Sequence, residues 1–529
     1  MTAAENLSFQ TLARRGHHGY RQYRIPALAV TTAGTVLAAY DGRPNLDDLP
    51  NTIDLLLRRS TDHGQTWENQ QVIRTGSGLE GFGDPSLLVD ADTSRIFCFH
   101  AAGTRAGFFE SAEGAQPVDE VQHVDLSYSD DDGRTWSHRR LTAQLKRPGI
   151  TGIFAAAGAG IQLRTGRHAG RLLQQMVVLY HGRIRAASAY SDDHGESWRL
   201  GELTSAEANE NKAVQLPDGR VLMNSRAPDQ RLQAVSTDGG HRYGELAPVT
   251  DLPDPGDNGS ICALPSDGGQ LLLLTNNRDA ALRRNTVLSV SFDNGDHWSP
   301  VQSICPGSSA YSTAALLADG SLGVLFERDG YQDIVFTKLG PGSLAPTALA
   351  EAAARYREDP GSEFTMVLRS ITPARPERWT SIGEEHVISA TAGDWAGHIW
   401  KEIGQGYQDG VQVLGSREAQ LANYGPVLPG LRAGDMLAFT GRFVNSSERA
   451  LEVELLGNYD RAPGTGFGPA SVPAGGQRLF FTPTYTVTAE DLRAGRARVG
   501  FEVRGGSGSW SQEFEVDTAA GTIRSLPAR

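Results

Sequence analysis

Short runs of apolar or alternating residues, each closed by Gly, Asp or Pro, follow one another along most of the chain. Examples are YRIPALAVTTAGTVLAAYDG from Tyr23, RIFCFHAAG from Arg95, GRLLQQMVVLYHGRIRAASAYS from Gly170, DGRVLMNSR from Asp218, GGQLLLLTNN from Gly268 and DGSLGVLFE from Asp319. Runs of this length, punctuated by turn formers, predict antiparallel strands. Between them one pattern returns five times: STDHGQTW at 60–67, SDDDGRTW at 129–136, SDDHGESW at 191–198, STDGGHRY at 236–243 and SFDNGDHW at 291–298. Each fits S-x-D-x-G ending in Trp or Tyr, an Asp-box. An Asp that hydrogen-bonds backbone ahead of it, and a Gly that accepts positive φ, make a tight turn between strands. The closing ring packs under that turn. Starts spaced 69, 62, 45 and 55 residues apart suit one four-stranded propeller blade each, lengthened in places by loops. Five boxes and one blade without a box predict a six-bladed β-propeller over residues 1–340, its blades lying within about 8–340. A sandwich would not repeat one turn five times.

Beyond Leu339 the texture changes. An Ala-rich stretch between Pro/Gly-rich flanks predicts a connector with a short helix over 341–377. Alternation resumes without Asp-boxes in AGDMLAFTGRFVNSSERALEVELLGN, GQRLFFTPTYTVT and RARVGFEVRGG, predicting a smaller β-sandwich accessory domain over 378–529. The whole is expected to be all-β. Its accessory domain could serve carbohydrate binding, oligomerisation, surface attachment or simple packing.

A formal net charge of −13 and a pI near 5.5 argue against nucleic acid or an anionic membrane surface as partner. No apolar run is long enough to span a bilayer. The opening MTAAENLSFQ has neither the basic nor the apolar segment of a signal peptide, which leaves a cytoplasmic protein and a secreted one shorn of its leader equally open. Cys98, Cys262 and Cys305 are scattered, without metal spacing or a disulfide framework, and Cys98 in IFCF reads as a small core residue.

Candidate chemistry lies where arginines interrupt the strands. Arg24 sits in YRIP, Arg226 ends VLMNSR, and Arg283, with Arg284 as its neighbour and rival, opens RRNTVLSVS. Three guanidiniums from three blades, gathered at the central end of a propeller, demand an anion, and a carboxylate matches their paired N–H donors.

YRIP near the start, the Asp-boxes, Glu-Asn-Lys ahead of a strand ending in Arg, and a late Tyr-Ser-Thr together resemble the bacterial exo-α-sialidases over about residues 8–340. The resemblance implies that Arg24, Arg226 and Arg283 clamp the carboxylate of sialic acid and that Glu327, in VLFERDG, orients the first of them. It implies Tyr311 of GSSAYSTAALLADG as nucleophile, Glu210 of ANENKAVQL as its base, and Asp48 as acid/base, with Asp47 next to it as the alternative. Arg43 would add contacts to the carboxylate or ring hydroxyls, and Asp84 of GFGDPS would line the pocket on the N-acyl side. A tyrosine makes chemical sense. The anomeric carbon bears a carboxylate that would repel a second anion, and a neutral phenol avoids that repulsion but needs a base. Sialidases are the Tyr-using exception among glycosidases. The resemblance implies retention through a tyrosyl-enzyme intermediate, sialylated glycans as substrates, and no metal or organic cofactor. It leaves open a related nine-carbon sugar, such as deaminated sialic acid, transfer or intramolecular lysis, and a non-catalytic sialoglycan-binding propeller. Oligomeric state is not legible.

Overall fold

The structure is a computed structural model. It describes residues 7–357, apart from 15–16, 21, 44–47, 79, 267–268, 281–282, 329–330 and 332, and beyond them parts of the stretch 364–526. Six antiparallel blades form a β-propeller. Blade one is built from Gln22–Val30, Val36–Arg43, Asp54–Ser60 and Gln71–Arg74, running from innermost to outermost strand. Blade two begins with Gly81–Val89, blade three with Ile150–Ala155, blade four with Asn211–Gln215 and blade five with Ser260–Ser266. The long strand Ser299–Leu316 ends blade five and then opens blade six, which continues with Leu322–Arg328 and Asp333–Leu339.

The outermost strand of blade six is the N-terminal Gln10–Arg14, in register with Asp333–Phe336, and the Arg14 guanidinium closes the ring on Asp333 at 2.8 and 3.0 Å. This explains the missing sixth box. In blades one to five the box joins the third strand to the fourth, whereas in blade six the fourth strand comes from the other end of the chain and no such turn exists.

Inner strands are covered on both faces, so Val36–Arg43 is buried throughout, whereas outer strands such as Ser137–Arg140 are largely exposed. The core is a set of slabs between neighbouring blades. One of them packs Leu37, Leu57 and Ile96 around Cys98, which is fully buried as expected of a small core residue.

The boxes repeat one hydrogen-bond scheme. In 60–67 the Ser60 hydroxyl donates to Asp62 (2.7 Å) and accepts the Gly64 N–H (2.8 Å), while Asp62 accepts the Thr66 N–H (2.8 Å) and hydroxyl (2.5 Å). The box glycine has little room as well as positive φ, for a Cβ on Gly195 would stand 2.3 Å from the Phe97 ring of the preceding blade. In the two divergent boxes Arg242 and His297 still give their N–H to Asp238 and Asp293 (both 2.9 Å), and only the hydroxyl bond is lost. His297→Thr is therefore expected to restore it and stabilise the fold by about 0.5–1.5 kcal/mol with turnover unchanged, as chemical denaturation would show.

Helix Pro346–Arg355, with proline at its start, docks Leu349 on the slab between blades five and six. Beyond it the described backbone forms two further antiparallel sheets, of eight and five strands, the first strand being Phe364–Arg375.

Candidate active site

Two bulges in the innermost strands aim the first polar groups at the propeller axis. In blade one the ladder skips between Arg24 and Ala27, and Ile25, the residue before Pro26, has φ of 61°. A β-branched residue at positive φ is a backbone outlier of the kind found at working sites. Its N–H leaves the ladder and donates to Glu327 at 2.8 Å. Blade two repeats the device at Gly83-Asp84-Pro85: Asp84 has φ of 60°, the ladder skips from Gly83 to Ser86, and the Asp84 N–H donates to Asp41 at 3.1 Å.

Glu327, fully buried on the second strand of blade six, takes the Arg24 Nε and Nη2 protons at 3.0 and 3.3 Å and the Tyr311 N–H at 3.1 Å. One carboxylate thus fixes an arginine and the backbone of the expected nucleophile. Glu210 and Arg226 sit at the ends of neighbouring strands in blade four, tied by the Arg226 N–H to the Glu210 carbonyl at 2.8 Å. Their side chains and Tyr311 close a triangle. The Tyr311 hydroxyl donates to Glu210 Oε2 at 2.5 Å, and Arg226 Nη1 donates to the same Oε2 at 2.5 Å and to the Tyr311 oxygen at 2.7 Å. The guanidiniums of Arg24, Arg226 and Arg283 stand 5.1, 5.8 and 5.4 Å from the centre of the Tyr311 ring. Arg283 is held by the Tyr331 hydroxyl (2.9 Å) and faces Asp257 (3.6 Å). Its rival Arg284 instead donates to Asp279 at 2.6 Å, so Arg283 is the one brought to the cluster.

Asp48 lies at the mouth with 57% of its side chain exposed, accepting from Arg43 at 2.7 Å and standing 3.8 Å from Arg24. Arg43 also donates to the buried Asp41 at 2.6 and 3.0 Å. Asp47 lies outside the described residues. A cavity of about 210 Å³ joins Asp48, Asp84, Glu210, Arg226 and Tyr311 to an apolar wall that includes Phe108 and Phe154.

The BNR repeat-like domain family matches residues 27–324. A sialidase of Micromonospora viridifaciens is 44% identical over 375 residues, 68% of this chain and 57% of that protein. The chain belongs to the sialidase family. It spans only about three-fifths of the length of the curated sialidases it matches first. The solved Hadza microbial sialidase Hz136 superposes with a TM-score of 0.58 at 29% identity, over 63% of this chain and 69% of its own. The Trypanosoma rangeli sialidase does so at 0.55 over 99% and 92%, and at 15% identity shares the fold.

Against that family background the electrostatics become readable. Burial pushes the Tyr311 phenol well above its ordinary range, and Glu210 adds to this while the guanidiniums of Arg226, Arg283 and Arg24 oppose it. Burial likewise lifts Asp41 and Asp257 to about 6 against the pull of their arginines. Asp84 is raised well above the usual carboxylate range by burial and by its neighbours Asp41 and Asp48. Sequence reasoning missed Asp41, Asp257 and Tyr331. Asp41 had a signal, since strand alternation puts it on the same side as Arg43 two residues on. Asp257 and Tyr331 sit in turn-rich stretches whose pattern says nothing of the axis. Among the described residues the one group with metal-ligand spacing is Asp90, Asp92 and His194. It lies beyond the far end of the Asp84 strand, and both Asp90 oxygens already accept hydrogen bonds from Gln162, Thr93 and His194.

Proposed function

We propose that this chain is a retaining exo-α-sialidase that releases terminal sialic acid from glycoconjugates through a tyrosyl-enzyme intermediate. The observation that carries the reading is the Tyr311–Glu210–Arg226 triangle set among three convergent guanidiniums. Arg24, Arg226 and Arg283 clamp the substrate carboxylate, with Glu327 and Asp257 offsetting their mutual repulsion. Asp48 protonates the leaving oxygen as Tyr311 Oη attacks the anomeric carbon and its proton passes to Glu210 Oε2. Water, deprotonated by Asp48, then cleaves the tyrosyl bond, and Tyr311 regains its proton from Glu210. The carboxylates of Asp48 and Glu210 face an oxocarbenium-like transition state, which they stabilise.

The apolar wall of Phe108 and Phe154 suits the methyl of an N-acyl group better than a bare hydroxyl. The test is hydrolysis of two fluorogenic α-glycosides, one of N-acetylneuraminic acid and one of its deaminated analogue. The expected result is kcat/KM about tenfold or more in favour of the first. Preference for the second would keep the mechanism and change the substrate. Binding of either without turnover would make this a lectin-like propeller.

A further inference from the structure

A buried lysine lies beneath the site, and the role argued for it rests on the sialidase reading. Lys212 lies two residues after Glu210 on the innermost strand of blade four, is 4% exposed, and has no ion pair among the described residues. Burial pushes its ammonium down to about 7. The Glu210 carboxylate two residues back opposes that shift without forming an ion pair with it, and a buried amine so placed is costly unless its hydrogen bonds are satisfied. Its Nζ donates to Asn258 Oδ1 at 2.8 Å and, more weakly, to the Asn211 carbonyl at 3.4 Å.

Asn258, also buried, is a junction of blades. Its Nδ2 donates to the Ala157 carbonyl, on the segment after blade three's first strand, at 2.9 Å, and its carbonyl accepts the N–H of Ser312, the residue after Tyr311, at 3.2 Å. Its own N–H donates to Asp257 Oδ1 at 2.9 Å, the oxygen that faces Arg283. Ala157 in turn packs with Ile25 against Tyr311. We infer that Lys212 is a positioning residue: by locking the Asn258 amide it fixes the strand carrying Tyr311 and the turn carrying the Arg283 partner.

The test uses Lys212→Met, which keeps the apolar stem and removes the ammonium, in the full chain. It reads kcat and KM on an aryl α-sialoside, and the rate at which an activated 3-fluorosialosyl fluoride labels Tyr311. A misplaced nucleophile is expected to lower kcat and the labelling rate together by about 10–100-fold, with KM changed less than about threefold. Asn258→Ala, which removes the acceptor of Lys212 Nζ while leaving the lysine in place, is expected to lower kcat and the labelling rate in the same direction should the methionine variant fail to fold. A folded variant with wild-type kcat and labelling, merely melting earlier, would overturn the inference and leave Lys212 a channel filler. A wild-type chain that hydrolyses no α-sialoside would overturn the functional reading and this inference with it.

Discussion

Tyr311→Phe is expected to lower kcat by on the order of 10³-fold or more while the affinity for a non-hydrolysable sialoside stays within a few-fold of wild type. In the proposed mechanism the phenol oxygen is the attacking group, and its removal leaves the rest of the cluster in place. Arg226 still donates to Glu210 at 2.5 Å, Arg24 still pairs with Glu327, and the Tyr311 N–H still reaches Glu327 at 3.1 Å. The fold and the carboxylate clamp should therefore survive and the chemical step should not. Calorimetric titration alongside steady-state kinetics separates the two. Wild-type turnover by the phenylalanine variant would remove Tyr311 from the mechanism.

Glu327→Leu is expected to be severe for a different reason. Arg24 is 1% exposed and Glu327 is fully buried, so deleting the carboxylate strands a guanidinium and orphans the Ile25 and Tyr311 amides. Breaking a buried pair on one side costs about 3–5 kcal/mol. A fall in melting temperature of roughly 10 °C should follow, with loss of activity. Glu327→Gln keeps an acceptor oxygen and should fall less in melting temperature. An unchanged melting temperature for the leucine variant would show that the pair does not hold the site together.

Much of the fold is legible before any coordinates, because the propeller announces itself through turns. Ser, Asp and Gly in each box are demanded by local hydrogen bonds and by positive φ, which survive even where Arg242 and His297 replace the usual hydroxyl. The absent sixth box is also informative once the N-terminal strand Gln10–Arg14 is seen to complete blade six. The site is legible in part. Arg24, Arg226 and Arg283 can be picked out as strand-end arginines, but their convergence is a product of blade closure that no single stretch encodes. Arg283 and Arg284 are indistinguishable in a linear reading and are separated by their partners, Tyr331 and Asp257 for the first and Asp279 for the second. Partners supplied by turns, such as Asp257, Asn258 and Tyr331, leave no periodic trace, because their placement depends on how one blade's loops meet the next.

The most direct test of the central claim is the anomeric form of the first sugar released from an α-sialoside, followed by proton NMR before mutarotation. Double displacement at Tyr311 predicts the α-anomer first, with the β-anomer growing in later. Release of the β-anomer first, or no release at all, would contradict it.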